Sequence, residues 1–128
     1  DDRLPDAWEC RIVDAYPDDQ ITSGVDVRPG DDFDGDGKTN QFEYLTGTSP
    51  TDPTSLLEVQ LSVLPDGNIK LHWTSIHGRI YIVQSCEALG TEWRPLEPAL
   101  EGTGDILEYA DYAAEVSDKC RFYRIQVF

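Results

Sequence analysis

From Leu56 onward, apolar and polar residues alternate with a period of two, and turn residues recur at short intervals. Such alternation puts successive side chains on opposite faces of an extended backbone, so it predicts half-buried strands. Leu57, Val59, Leu61 and Val63 are spaced by Glu58, Gln60 and Ser62. Pro65-Asp-Gly-Asn68 then makes a tight connection, after which Ile69, Leu71 and Trp73 alternate with Lys70, His72 and Thr74. The pattern is that of an antiparallel pair. Residues 79–86 are rich in β-branched and aromatic types on both faces, which suits a central strand. Residues 92–96, 106–110 and 121–128 supply three more. Six or seven short antiparallel strands predict a small sandwich or open barrel over residues 56–128, because a single sheet would leave one face uncovered.

The first 55 residues follow a different rule. Leu4 to Tyr16 reads as a helix with Pro5 at its first position, Trp8, Ile12 and Val13 on one face, and Pro17 as its stop. Residues 17–31 mix Pro, Asp and Gly with Ile21, Val25 and Val27 in no sustained period, which predicts an ordered loop. A second helix is expected to be capped by Thr39, to carry Phe42 and Leu45 inward, and to end at Gly47 in the left-handed C′ position. Pro50 and Pro53 forbid its continuation, so residues 51–55 form the junction between modules 1–55 and 56–128.

Between the two helices lie twelve residues, Asp32-Phe-Asp-Gly-Asp-Gly-Lys-Thr-Asn-Gln-Phe-Glu43. An EF-hand loop surrounds one hard cation with side chains from positions 1, 3 and 5, a backbone carbonyl from 7, a group at 9 and a bidentate carboxylate at 12. Those positions are Asp32, Asp34, Asp36, Lys38, Asn40 and Glu43. The sharp turn demanded at position 6 falls on Gly37. A solvated acidic turn is the competing reading, but random acidic loops seldom add both that glycine and the glutamate at position 12. The expected fold class is therefore α+β, a short helix–calcium loop–helix module followed by an all-β sandwich. Ca²⁺ is the expected ligand.

Charge points the same way. The formal net charge is −15 and the sequence pI is near 4.2, which disfavours nucleic acid and anionic lipid as partners and favours divalent cations. Residues 1–36 carry most of this imbalance, with only Arg3, Arg11 and Arg28 opposing a run of aspartates, so compaction there calls for a bound positive charge. No apolar stretch approaches membrane-spanning length, and no signal peptide is recognisable at the start. The absence of methionine reads as a processed mature protein or a fragment. Loops of extracellular modules are tuned to millimolar calcium, which places the protein outside the cell.

The string DFDGDGKTNQFEYLTGTSPTDP at residues 32–53 resembles thrombospondin type 3 repeats and dockerin-like calcium loops of secreted bacterial surface proteins, with Ser49 where an acidic residue is common. Leu-Pro-Asp-Ala-Trp-Glu at residues 4–9 resembles the helix that precedes such loops. This resemblance implies structural calcium binding. Trp73, Tyr81-Ile-Val83, Trp93 and Phe122-Tyr-Arg-Ile-Gln-Val127 resemble fibronectin type III or immunoglobulin-like strands. The seventh strand of that family is not recognisable, which implies an open edge or one covered by the first module.

Other chemistry is sparse. Pairing the strands at 79–86 and 121–128 with Gln84 opposite Phe122 and Ile82 opposite Arg124 sets Cys86 opposite Cys120 as a candidate disulfide, with Tyr81, Val83, Tyr123, Ile125 and Val127 facing the core. Cys10 reads as a small buried residue on the first helix. His72 sits on a polar strand face and His77 at a turn, and neither has a nucleophile partner motif, so no catalytic residues are assigned and the protein is read as a non-enzyme. Trp73, Trp93, Tyr81, Tyr109 and Tyr112 can be imagined as a sugar platform. Trp73 shares its face with Ile69 and Leu71, however, and reads as core, leaving Trp93 and Tyr112. Asp18, Asp19, Asp26, Asp31 and Asp52 lack ligand spacing and read as turn or cap residues. The expectation is a secreted, calcium-stabilised structural, adhesive or assembly module. The alternatives are a carbohydrate-binding module of a secreted hydrolase, which would take polysaccharide, and a filament subunit whose sandwich is completed by strand addition from a protein partner.

Overall fold

The computed structural model describes residues 2–15, 20–112 and 120–128. The chain divides into two compact units, Asp1–Leu57 and Glu58–Phe128. The described residues form two short α-helices and seven strands in two sheets, an α+β fold that is mostly β.

In the first unit, α1 spans Asp6–Val13 and α2 spans Asn40–Thr46, with a 3-10 turn at Gly24–Asp26 between them. Helix α1 is shorter than its expected span, and Pro5 is its N-cap in extended geometry rather than its first helical residue. Acidic Asp6 and Glu9 in its first turn and Arg11 in its last complement the helix dipole. Tyr16 and Pro17 lie outside the described residues. Leu4, Ile12 and Val27 form the buried centre, with Trp8, Val13, Ile21, Phe33 and Tyr44 packed against it. Trp8 and Tyr44 meet edge-on at 5.9 Å. Cys10 is exposed, against the expectation of a buried thiol, because Glu9 and Ile12 occupy the inward side of the helix.

In the second unit the strands are β1 (Val59–Val63), β2 (Ile69–Thr74), β3 (Ile80–Cys86), β4 (Arg94–Pro95), β5 (Leu100–Glu101), β6 (Ile106–Asp111) and β7 (Phe122–Val127). One sheet has the order β1-β2-β6. In the other, β3 pairs with β7 along one edge and with β4 and β5 in turn along the other, all antiparallel. The β1–β2 turn closes through Leu64 N–H to Asn68 O at 2.8 Å, in the register Val59↔Trp73 to Val63↔Ile69. The two-residue β5 was not anticipated. The core lies between the sheets, where Leu71, Trp73, Tyr81 and Val83 are each at most 1 % exposed and the Trp73 and Tyr81 rings lie 5.7 Å apart.

The β3–β7 register corrects the expected one by two residues. Cys86 faces Phe122, Gln84 faces Arg124 and Ile82 faces Gln126. An even shift preserves parity, so Tyr81 and Val83 still share a face with Tyr123, Ile125 and Val127. Cys120 falls beyond the paired segment, and Cys86 and Cys120 are both free thiols rather than a disulfide.

Strand β6 brings one carboxylate into this core. Asp111 is 3 % exposed and accepts from Arg121 Nη1 at 2.7 Å and Tyr123 Oη at 2.9 Å. Burial, followed by the bond to Asp111, pushes the Tyr123 hydroxyl up to about 12. Asp111→Ala should cost about 3 kcal/mol, because it strands a partly buried guanidinium. Urea unfolding followed by circular dichroism reads this directly, and an unchanged midpoint would mean the cluster is not structural.

Candidate metal centre

The loop ahead of α2 is shaped by its own carboxylates. Asp32 Oδ1 accepts from Gly35 N–H and Oδ2 from Gly37 N–H, each at 2.8 Å. Asp34 Oδ1 takes Asp36 N–H at 3.3 Å, and Asp36 Oδ1 takes Lys38 N–H at 2.6 Å. Such local bonds wind the backbone round the side chains, and Gly37 at φ 88° supplies the left-handed turn that a Cβ would resist. As a result Asp32, Asp34 and Asp36 each present an oxygen within 4.8 Å of the other two. The Lys38 ammonium is directed over the Phe42 ring at 5.6 Å.

The following helix is secured at both ends. Thr39 Oγ1 accepts from Phe42 N–H at 3.3 Å, and Gly47 closes the C-terminus at φ 73°. Asn40 N–H donates to Asp31 O at 2.7 Å and Asn40 Nδ2 to Arg28 O at 2.9 Å, which pins the start of α2 to the preceding segment. The inward residues are not those expected. Phe42 and Leu45 are half-buried, whereas Asn40, Glu43 and Thr46 are buried.

Glu43 is fully buried, and neither of its carboxylate oxygens has a hydrogen-bond partner. Asn40 Oδ1, Asp34 Oδ2 and Asp36 Oδ2 are likewise buried without a donor. An unsatisfied buried polar group costs roughly 1–3 kcal/mol, and a charged one more. Five such oxygens lie on four residues of one loop and helix, and the Asp32, Asp34 and Asp36 group in that loop could hold a metal ion. The charge density shows in the acidity of Glu43. Burial first, then the charges of Asp34, Asp36 and Asp32, raise its carboxyl from 4.5 to about 7. Burial also raises Asp34. Hard oxygen donors of this kind suit Ca²⁺ or Mg²⁺ rather than softer metals.

The other acids behave as turn formers. Asp26 Oδ2 accepts from the Thr22 and Ser23 amides, and Asp52 Oδ1 from Thr54 N–H and Oγ1, which holds both carboxyls below their usual range. Asp31 contributes its backbone carbonyl, and Asp18 and Asp19 lie outside the described residues. His72 Nε2 pairs with Gln60 Oε1 at 2.8 Å, and His77 is exposed on its turn.

The five aromatic residues do not assemble into one platform. Trp73 and Tyr81 are core, Tyr109 Oη donates to Glu97 O, Tyr112 is exposed, and Arg124 lies over Trp93 at 4.5 Å. Sequence reasoning missed the Asp111 cluster, although Asp111 shares β6 parity with Leu107 and Tyr109 and thereby signalled an inward carboxylate.

No helix among the described residues is long and apolar enough to cross a membrane. Comparison of the chain with protein-family models, curated proteins and solved structures finds no match.

Proposed function

We propose that the first unit binds one calcium ion through Asp32, Asp34, Asp36, the Lys38 carbonyl, Asn40 and Glu43, and that the ion holds α2 onto the loop. The observation that carries this reading is the buried Glu43 carboxylate, both of whose oxygens lack a partner at the position where an EF-hand loop places its bidentate ligand. On this reading the loop is of thrombospondin type 3 or dockerin type. The protein is then a secreted, non-enzymatic structural, adhesive or assembly module, because such loops work at the calcium levels found outside cells. A unit of this size and acidity lies near the lower limit for a self-sufficient core, where a metal commonly completes folding.

Calorimetric titration with CaCl₂ should give one site per chain. Its pH dependence follows from Glu43. In the metal-free protein the raised carboxyl contributes stability that is fully present below pH 4.5 and is lost as pH rises through about 7. Calcium must displace that proton, so binding weakens as pH falls below about 7, by roughly 20- to 30-fold between pH 7.5 and 5.5 for one proton released. Affinity independent of pH over this range, or the absence of a heat signal at millimolar calcium, would refute the assignment.

A further inference from the structure

Glu9 shares with Glu43 a buried carboxylate that lacks a donor. It is 6 % exposed, and among the described residues its carboxylate has no hydrogen bond and no ion pair. Helix α1 sets it against the 3-10 turn, where a Cβ on Gly24 would stand 2.7 Å from Glu9 Oε2. The missing side chain at Gly24 is what gives the carboxylate its room. Unlike Glu43, which is sealed in, Glu9 lines a hollow of about 490 Å³ between the start of α1 and that turn.

The other groups around the hollow are acceptors or aliphatic. Asp6 has no bonded partner, and Asp2 uses only Oδ1, which accepts from Leu4 N–H at 3.1 Å. Ser23 Oγ donates to Asp26 Oδ2 at 3.1 Å, so its lone pairs remain as acceptors. Leu4 and Val25, the latter 88 % exposed, add aliphatic surface, and no lysine or arginine lines the space. Burial first, then the charges of Asp2 and Asp6, raise the Glu9 carboxyl, and only the amino terminus opposes them.

These features select among cations. Asp32, Asp34 and Asp36 bring their oxygens within 4.8 Å of one another, whereas Asp2, Asp6 and Glu9 form no such group, so a bare metal ion has no cage here. An ammonium needs none, because its three N–H groups each take a separate acceptor. We propose that this hollow binds a primary ammonium on an alkyl stem. Glu9 is its principal anion, Ser23 and Asp2 or Asp6 are further acceptors, and Leu4 and Val25 lie against the carbons. A lysine side chain and a free amine share this chemistry. The site stands whether or not the loop takes calcium.

The test titrates the full chain with butylammonium and methylammonium chloride at fixed ionic strength, in excess CaCl₂ to keep the amines off the loop aspartates. Amide NMR at Gly24 and Val25 reads binding. Butylammonium is expected to bind about tenfold tighter than methylammonium, since each methylene taken out of water adds affinity. Glu9→Gln keeps the shape and should weaken butylammonium binding by roughly tenfold or more. Glu58→Gln removes one exposed charge from the second unit and should change it by less than about twofold. Val25→Ser, at an exposed position, should erase the preference for the butyl chain and leave methylammonium binding in place. Equal affinity for the two amines, full affinity in Glu9→Gln, or equal losses in Glu9→Gln and Glu58→Gln would each overturn the site, the last by showing attraction to net charge alone. Nα-acetyl-lysine N-methylamide and spermidine separate the sources. Binding of the first assigns a lysine side chain of a polypeptide, binding of spermidine alone assigns a free polyamine, and rejection of both would overturn the site.

Discussion

Replacing Glu43 by glutamine is expected to move the two states of the first unit in opposite directions. In the absence of metal, the wild-type protein holds a fully buried carboxylate against Asp34, Asp36 and Asp32, with Arg11 the opposing charge. A neutral amide of the same shape removes that repulsion, so the calcium-free variant should melt higher than the calcium-free wild type above pH 7. The gain is roughly 3 kcal/mol at most, from the size of the carboxyl shift. With calcium present the order reverses. The wild type gains about 2.7 kcal/mol when calcium is a hundredfold above its dissociation constant. The glutamine variant, lacking the bidentate anion, should lose affinity on the order of 100-fold and show almost no calcium-dependent shift. Differential scanning calorimetry with EGTA and with calcium measures all four states. A variant that keeps its calcium shift would move the site elsewhere. One whose metal-free form is less stable than wild type would make Glu43 a structural partner of Arg11 instead.

Trp73→Ala should be the most damaging substitution in the second unit. The side chain is 1 % exposed, meets Tyr81 at 5.7 Å, and sits between Val59 and Leu107 in its sheet. Truncating a buried aromatic to alanine costs roughly 3–5 kcal/mol through lost burial and the cavity left behind. In a unit of this size each kcal/mol corresponds to roughly 4–8 °C in melting temperature, so a drop of well over 10 °C is expected. Phenylalanine provides the discriminating comparison. Trp73 Nε1 is buried without an acceptor, an unfavourable feature that phenylalanine removes while keeping much of the contact. Trp73→Phe should therefore cost under about 2 kcal/mol. Guanidinium unfolding in saturating calcium measures both variants. Similar losses for the two would show that a phenyl ring does not replace the packing of the indole between the sheets.

Much of the arrangement was legible in local residue chemistry. Thr39 and Gly47 bound α2 because a hydroxyl cap and a left-handed glycine satisfy the exposed backbone groups of a helix end, and both needs are visible one residue at a time. The alternation from Leu57 to Trp73 placed the first hairpin for the same reason. Long-range quantities were less legible. Parity between β3 and β7 follows from which residues must face the core, but any even displacement satisfies that requirement equally, and the actual register differs from the expected one by two. Strand β5, two residues long, has no room for a period. In the candidate site, the ligand types were readable from spacing, whereas the inward face of α2 was misread. Apolar Phe42 and Leu45 were expected to point in, but the helix packs against an acidic loop, and it is Asn40 and Glu43 that become buried. Burial of Val59, Leu61 and Val63 was implied by their pattern and does not occur, because inward-facing residues are covered only where the opposite sheet extends beneath them.

The position of β7 in the chain bears on how this protein emerges from the ribosome. Central β3 gains its longest neighbour only from residues some 40 positions downstream, as the Arg124–Gln84 and Gln126–Gln84 bonds show with separations of 40 and 42. Until Val127 has cleared the exit tunnel, β3 carries one open flank and the Tyr81–Val83 face has no lateral cover. The sandwich therefore closes only once β7 is available, in one late step that brings together distant parts of the sequence. A nascent chain stalled before Phe122 would present that bare flank to chaperones.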